Sequence, residues 1–221
     1  MCGRYTSTQP EKVKIPGVNL KDLKNSKPRY NIAPSQEVLS VIGAGDEKHA
    51  VYLHWGLIPS WSKEPHGSGI INARSETLAE KPSFRESFKR RRCLIPADGF
   101  YEWKKEGQAK QPFYFRMKDE GVFSFAGIWD VWKSGGEEII SCAIITTEPN
   151  DLLATVHNRM PVILNPGDYD LWLEEESNAD NLTDLLKPFP AEYMKGYAVG
   201  RSVNSPTADD PRLIEKVSER N

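Results

Sequence analysis

The sequence predicts an α+β domain whose strands pair mostly antiparallel. Short runs rich in β-branched and aromatic residues recur through the first part of the chain, and glycine-bearing turns separate several of them. Helical patterns are fewer and do not alternate with the strands, which argues against a parallel βαβ layout.

Strands are expected at Glu37–Ile42, Ala50–Trp55, Ile70–Arg74, Cys93–Ala97, Phe100–Lys104, Gln111–Met117, Val122–Trp129 and Glu138–Thr147. Gly43-Ala44-Gly45, Gly107 and Gly135-Gly136 supply turns between them. Ser83-Phe84-Arg85-Glu86 reads as a capping box that opens a helix, with Phe84 and Phe88 stacked four residues apart. Asn150–Val156 reads as a short helix. Pro166, behind Asn165, suits the first helical position of a stretch through Leu171, Trp172 and Leu173. A further amphipathic piece runs through Leu182, Leu185 and Leu186 and stops at Pro188. No internal repeat or low-complexity linker divides the chain, so residues 1–221 are expected to form a single domain, with a flexible tail from about residue 210.

The 221 residues suffice for a full core, and the formal charge of −2 rules out a general polycation. Any nucleic-acid contact must come from a local basic patch. No run approaches the roughly 18 apolar residues of a membrane span, and the start lacks a charged-then-apolar signal pattern. No membrane partner and a cytoplasmic location are the expectations. Cys2, Cys93 and Cys142 form no C-x-x-C pair, which argues against a disulfide framework and a zinc site. A reducing cytoplasm suits a free thiol. Nothing indicates a metal or other cofactor.

Cys2 stands directly behind the initiator methionine. Removal of Met1 leaves an α-amine and a thiol on adjacent carbons. That pair can attack a carbonyl with its own amine as proton acceptor, or capture an aldehyde as a Schiff base and close to a thiazolidine. Cys2 equally suits a small apolar position beside a first strand. In Gly99-Phe100-Tyr101-Glu102-Trp103-Lys104, alternation puts Phe100, Glu102 and Lys104 on one face and Tyr101 and Trp103 on the other. A carboxylate among aromatic rings loses hydration, which raises its pKa toward acid/base use. An exposed Glu102 paired with Lys104 is the plainer reading. Asn72 and Arg74 share one face of their strand, able to orient an amine and hold an anion, or simply to pair along an edge. His157 lies on a polar loop before Pro161 and suits proton transfer near neutral pH. The run Lys81–Arg92 is strongly basic, and Arg85, Lys89 and Arg92 would line one helical stripe facing phosphate or water. Trp55, Trp61, Trp103 and Trp132 are either base-stacking surfaces or core residues.

The segments MCGRY, RYNIAPSQ, HWGLIPSW, INARSET, RRCLIPADGFYEWKK, QPFYF, FAGIWD, AIITTEPN, VHNRMPVIL and SVNSP occur in that order. Together they resemble the SRAP family, SOS-response-associated peptidase-like proteins that attach covalently to abasic sites in DNA. The resemblance spans nearly the whole chain and implies a barrel-like β core with flanking short helices. It places the nucleophile at Cys2, the amine-positioning amide at Asn72, the active carboxyl at Glu102 and the active imidazole at His157. It implies DNA contacts from Arg4, Arg74 and Arg159, helped by the Asn31–Pro34 loop (Asn31 and Pro34) and by Thr146. Trp61 resembles the aromatic wedge beside the lesion. Some bacterial members carry a second tryptophan and a loop arginine where this chain has Ser62 and Pro82, so Lys81 or Arg85 is expected to supply the charge.

The implied activity is a thiazolidine crosslink between Cys2 and a ring-opened abasic sugar in single-stranded DNA, shielding the lesion, with an abasic-site lyase side reaction. Met1 leaves either by peptidase-type self-cleavage or through a host aminopeptidase. The family name implies induction in the SOS response to DNA damage, and the protein is expected as a monomer, nucleoid-associated when bound to DNA. Two rivals are an N-terminal-nucleophile amidohydrolase of the glutamine amidotransferase type, which also begins Met-Cys-Gly, and a non-covalent single-strand binder.

Overall fold

The computed structural model describes residues 2–9, 12, 14–18, 27–45, 47–64, 69–175, 177 and 179–217. Thirteen strands are present among them: β1 (Arg4–Ser7), β2 (Arg29–Ile32), β3 (Glu37–Ala44), β4 (Glu47–Trp55), β5 (Asn72–Arg74), β6 (Arg92–Ala97), β7 (Gly99–Glu106), β8 (Ala109–Met117), β9 (Phe123–Ser134), β10 (Glu137–Thr147), β11 (Met160–Pro161), β12 (Ile163–Leu164) and β13 (Met194–Ala198). Four short helices flank them: α1 (Arg85–Arg90), α2 (Asp151–Ala154), α3 (Tyr169–Leu173) and α4 (Ala179–Asp184).

The expected α+β class with a barrel-like core is what the chain forms. Strands β10, β4, β3, β6 and β9 pair in that order, and β9 pairs back to β10, closing a ring. Closure leaves no long hydrogen-bonding edge exposed. Strands β4 and β5 both meet β10 in parallel; the other pairings among the described residues are antiparallel. A second sheet, in the order β13-β8-β7-β1-β2, lies against the ring.

Alternation along the strands builds two cores. Ala143 and Ile145 of β10, Leu94 of β6 and Ala126 and Ile128 of β9 pack with Phe84, Phe88, Trp172, Leu173 and Leu182 from the helical segments. Their neighbours Cys142, Ile144, Cys93, Ile95 and Phe125 face the second sheet and pack on Tyr5, Phe100 and Phe115. Because both faces are covered, these strands read as nearly continuous apolar runs. Burying each such side chain contributes roughly 1.5–3 kcal/mol.

Several local readings are corrected or decided. The capping box is not made: Phe84 occupies the cap position of α1 without a side-chain hydrogen bond. Burial of Phe84 and Phe88, the latter 6.2 Å from the Trp172 ring centroid, sets the entry of this helix instead. Arg92 leaves the basic stripe. It starts β6, is 2 % exposed, and donates to the carbonyls of Phe88 (2.8 Å), Lys89 and Trp172 (2.7 Å) and to that of Glu174. Its guanidinium thus satisfies the free carbonyls at two helix ends. Trp55 and Trp132 are buried core residues rather than stacking surfaces. The segment after residue 210 is packed through 217: Leu213 is buried, Lys216 bridges Val199, and the Tyr197 hydroxyl donates to the Ile214 carbonyl at 2.9 Å.

The start of the chain is anchored by Asp98, buried between β6 and β7. Its carboxylate accepts from the hydroxyls of Thr6 and Thr8 and from the backbone N–H groups of Thr8 (2.6 Å) and Gln9 (3.1 Å). The Tyr114 hydroxyl lies 2.9 Å from Thr6 Oγ1 and fills the space where any Cβ on Gly99 would stand. Asp98→Ala strands these donors in the core, and hydrogen bonds to a charged group are worth about 1.5–3 kcal/mol each. A loss of roughly 3 kcal/mol is expected from the urea midpoint; a loss below about 1 kcal/mol would remove Asp98 from this role.

Candidate active site

Strand β1 carries Cys2 into the molecule. It is held between β2 (Tyr5 opposite Ile32) and β7 (Arg4 opposite Tyr101). Cys2, just ahead of it, is fully buried among Tyr5, Trp55, Phe100 and Phe115. Its thiol donates a long 3.9 Å contact to the Arg4 carbonyl. Asn72 opens β5, fixed by its register opposite Ile144 of β10. Its Nδ2 donates to the Cys2 carbonyl at 2.9 Å, while its Oδ1 is buried without a hydrogen-bond partner. An unpartnered buried acceptor beside a chain start is costly unless a donor arrives.

Glu102 sits on β7 opposite Phe113 and is buried, on the face of Phe100 that looks toward Cys2. Tyr101 and Trp103 turn to the other face and pack with Tyr114 and Val199, as the alternation predicted. Burial pushes the Cys2 thiol well above its ordinary range, and the Glu102 charge pushes in the same direction. Burial likewise raises Cys93 and Cys142. A thiol raised in the fold favours the protonated native state. That contribution is complete below the unfolded thiol pKa of about 8.5 and is lost as pH rises above it. In the unprocessed chain all three thiols are therefore expected to resist iodoacetamide at pH 8 until the protein is denatured. Mass spectrometry reads this directly, and rapid native labelling of Cys93 or Cys142 would contradict it.

His157 follows α2. Asn150 caps that helix through the Leu153 N–H (2.9 Å), and the His157 N–H donates to the Leu153 carbonyl at 2.8 Å. Its Nδ1 lies 3.1 Å from the Arg159 N–H and 3.4 Å from the Arg159 carbonyl. The N–H can only donate and is the closer group, so Nδ1 is the acceptor and the neutral ring carries its proton on Nε2. Glu102 and His157 line one opening of about 340 Å³, together with Trp103, Lys110 and Asn204. Lys110 and Asn204 escaped the sequence reading, although Asn204 lies within the SVNSP match. A larger cavity of about 440 Å³, lined by residues such as Met117, Val122, Phe189 and Tyr193, contains none of the candidate groups. Convergent acid/base side chains rather than volume mark the site.

The other candidates fall into two sets. Arg4 donates to Asn31 Oδ1 (2.9 Å) and to the carbonyls of Val203 (2.6 Å) and Asn204 (3.3 Å). Buried Asn31 donates to the carbonyls of Val203 (3.3 Å), Ser205 (2.9 Å) and Ala208 (2.8 Å). The pair holds the 201–208 wall of the opening. Asn31 belongs to β2 rather than to a loop, and only Pro34 lies in the turn that follows. Arg74 is exposed at the end of β5, opposite buried Thr146, whose carbonyl accepts from Arg159. Trp61 is 64 % exposed, and its indole N–H donates to the Pro82 carbonyl at 3.3 Å. This puts the ring next to Lys81, exposed like Arg85. Among the described residues no group of three or more His, Cys, Asp or Glu could hold a metal ion, and no helix is long and apolar enough to cross a membrane.

Fold and site together define a closed β ring capped by a second sheet, with a buried cysteine near the chain start and a carboxylate and an imidazole lining one opening. The profile of the family SOS response associated peptidase (SRAP) matches residues 1–206. The chain belongs to the SRAP family. Abasic site processing protein YoqW of Bacillus subtilis is 42 % identical, over 97 % of this chain and 99 % of that protein. Abasic site processing protein YedK of Escherichia coli is 29 % identical, over 98 % and 100 %. The crystal structure of a Bacteroides thetaiotaomicron protein superposes with a TM-score of 0.83 at 31 % identity, covering 98 % of this chain and all of that one.

Proposed function

We propose that this protein processes abasic sites in single-stranded DNA by forming a thiazolidine crosslink through Cys2. One observation carries the reading: the Asn72 amide grips the Cys2 carbonyl at 2.9 Å, near enough to Glu102 for its charge to act on the Cys2 thiol, and Glu102 in turn lines an opening with His157. Loss of Met1 comes first. Self-cleavage with Cys2 as nucleophile, assisted by Glu102 or His157, or removal by an aminopeptidase, frees the α-amine. The unpartnered Asn72 Oδ1 suits that new donor.

In its protonated form Glu102 donates to the sugar ring oxygen while the C1′ hydroxyl gives up its proton to water, opening the hemiacetal to the aldehyde. The Cys2 amine adds to C1′ and water leaves, giving an imine. The thiol then adds across the C=N bond: sulfur bonds to C1′, and its proton passes through the Glu102 carboxylate to nitrogen. A positive iminium beside the sulfur offsets the burial and the carboxylate charge that otherwise hold the thiol protonated. His157, which lines the opening, shuttles protons and hydrogen-bonds the released sugar hydroxyl. Ring closure is intramolecular and outruns β-elimination, so strand cleavage as a lyase is the side reaction when the thiol is missing. Arg4, Arg74 and Arg159, with Lys81, Arg85 and Pro34, contact backbone or sugar, buried Asn31 and Thr146 hold Arg4 and Arg159 rather than touch DNA, and Trp61 supports the neighbouring bases. The working form is a cytoplasmic monomer that joins the nucleoid on damaged DNA.

The test is incubation with an oligonucleotide bearing one abasic site. A slower-migrating band that survives denaturation supports the reading. Glutamine hydrolysis without that band would point to an amidohydrolase, and salt-sensitive binding alone to a simple single-strand binder.

A further inference from the structure

Arg159 is held from both sides. Its Nη1 and Nη2 reach the two carboxylate oxygens of Glu76 at 2.5 and 3.0 Å, and Nη2 also donates to the Thr146 carbonyl and lies 3.4 Å from Thr146 Oγ1. The two partners are unequal. The Arg159 side chain is 13 % exposed and tied to the β10 backbone, whereas that of Glu76 is 52 % exposed, on the 3₁₀ turn Ser75–Thr77. The cation is built in; the anion can swing away.

From this geometry we infer that Glu76 is a resident anion in a phosphate cradle: it occupies Arg159 in the DNA-free protein and yields that guanidinium to a backbone phosphate. A carboxylate taken by two parallel N–H groups matches the fork that arginine offers to phosphate. The buried Arg159 Nε has no acceptor, so Glu76 leaves the cation incompletely satisfied. Arg159, with Arg74 helping, keeps the Glu76 carboxyl below its ordinary range, so it is charged and competing at neutral pH. The arrangement adds specificity. Loose polyanions must displace an internal carboxylate, while a strand already docked through other contacts does so at little further cost.

This inference rests on the DNA-binding reading above, but its readout is separate. Equilibrium binding of an undamaged single-stranded oligonucleotide would be followed by fluorescence anisotropy over a salt series. Glu76→Gln is expected to bind about threefold tighter, the size of one released exposed ion pair. The log K against log salt slope should match that of the wild type, because Arg159 neutralises the same phosphate in both proteins. Arg159→Ala should make the slope shallower by about 0.7, one phosphate fewer on a single strand, and in that background Glu76→Gln should not tighten binding. No gain in affinity from Glu76→Gln, or a gain that persists without Arg159, overturns the inference. An intact covalent band from the Glu76→Gln protein with an abasic-site oligonucleotide keeps that failure distinct from failure of the crosslinking reading, and a Glu76→Asp variant that restores wild-type binding guards against a folding defect.

Discussion

Cys2→Ala, prepared with its N-terminal methionine removed, is expected to give no denaturation-resistant product with an abasic-site oligonucleotide, a loss of more than about a hundredfold. The α-amine is still present, so borohydride should trap an imine at the first residue. Without sulfur the imine cannot close, and it lingers long enough for β-elimination, so cleaved strand should accumulate. The physical basis is the effective concentration of a thiol three bonds from the amine, about 10⁵ M or more for a well-oriented intramolecular partner. Cys93 and Cys142 cannot substitute, since both are fully buried between the β ring and the second sheet. A stable band from Cys2→Ala, or peptide mapping that finds the sugar on another side chain, would end the proposal.

Glu102→Gln should slow crosslinking by roughly 10²–10⁴, the usual worth of a positioned acid/base group. The amide keeps the shape of a buried side chain, so the fold is expected to hold, with an unchanged urea midpoint as the check. Two steps are asked of this one carboxyl: giving a proton to the ring oxygen and relaying the proton of the thiol. An oligonucleotide carrying an aldehyde that cannot cyclise bypasses the first. With that substrate the variant should recover part of its lost rate, which a merely structural role would not produce. Wild-type crosslinking by Glu102→Gln would remove the carboxyl from the mechanism.

Much of the fold was legible because its signals are local. The eight expected strands all appear, most of them longer by a few residues, since turn glycines and apolar alternation specify them without help from distant partners. Strands β2 and β13 were not. Arg29–Ile32 is brief and half polar, and Met194–Ala198 contains Gly196, whose missing side chain makes room for the Phe115 ring. Both become strands only because β1 and β8 offer them edges. Arg92 shows the opposite failure: a local charge pattern suggested a stripe facing phosphate or water, and two distant carbonyls, of Trp172 and Glu174, joined two local ones in drawing the residue into the core.

At the site, residue types alone determined which groups have suitable chemistry: a thiol behind the initiator methionine, a carboxylate flanked by aromatic residues and a loop imidazole. Family membership likewise is written in the order of the matching segments. Only the tertiary structure decided that Asn72, seventy positions along the chain, bonds the Cys2 carbonyl, and that Glu102 and His157 face one opening. It alone paired Arg159 with Glu76 and turned Arg4 and Asn31 toward the 201–208 wall. Spacing along a chain reports periodicity within an element, whereas these contacts depend on strand register and ring closure, which arise only when remote segments are packed together.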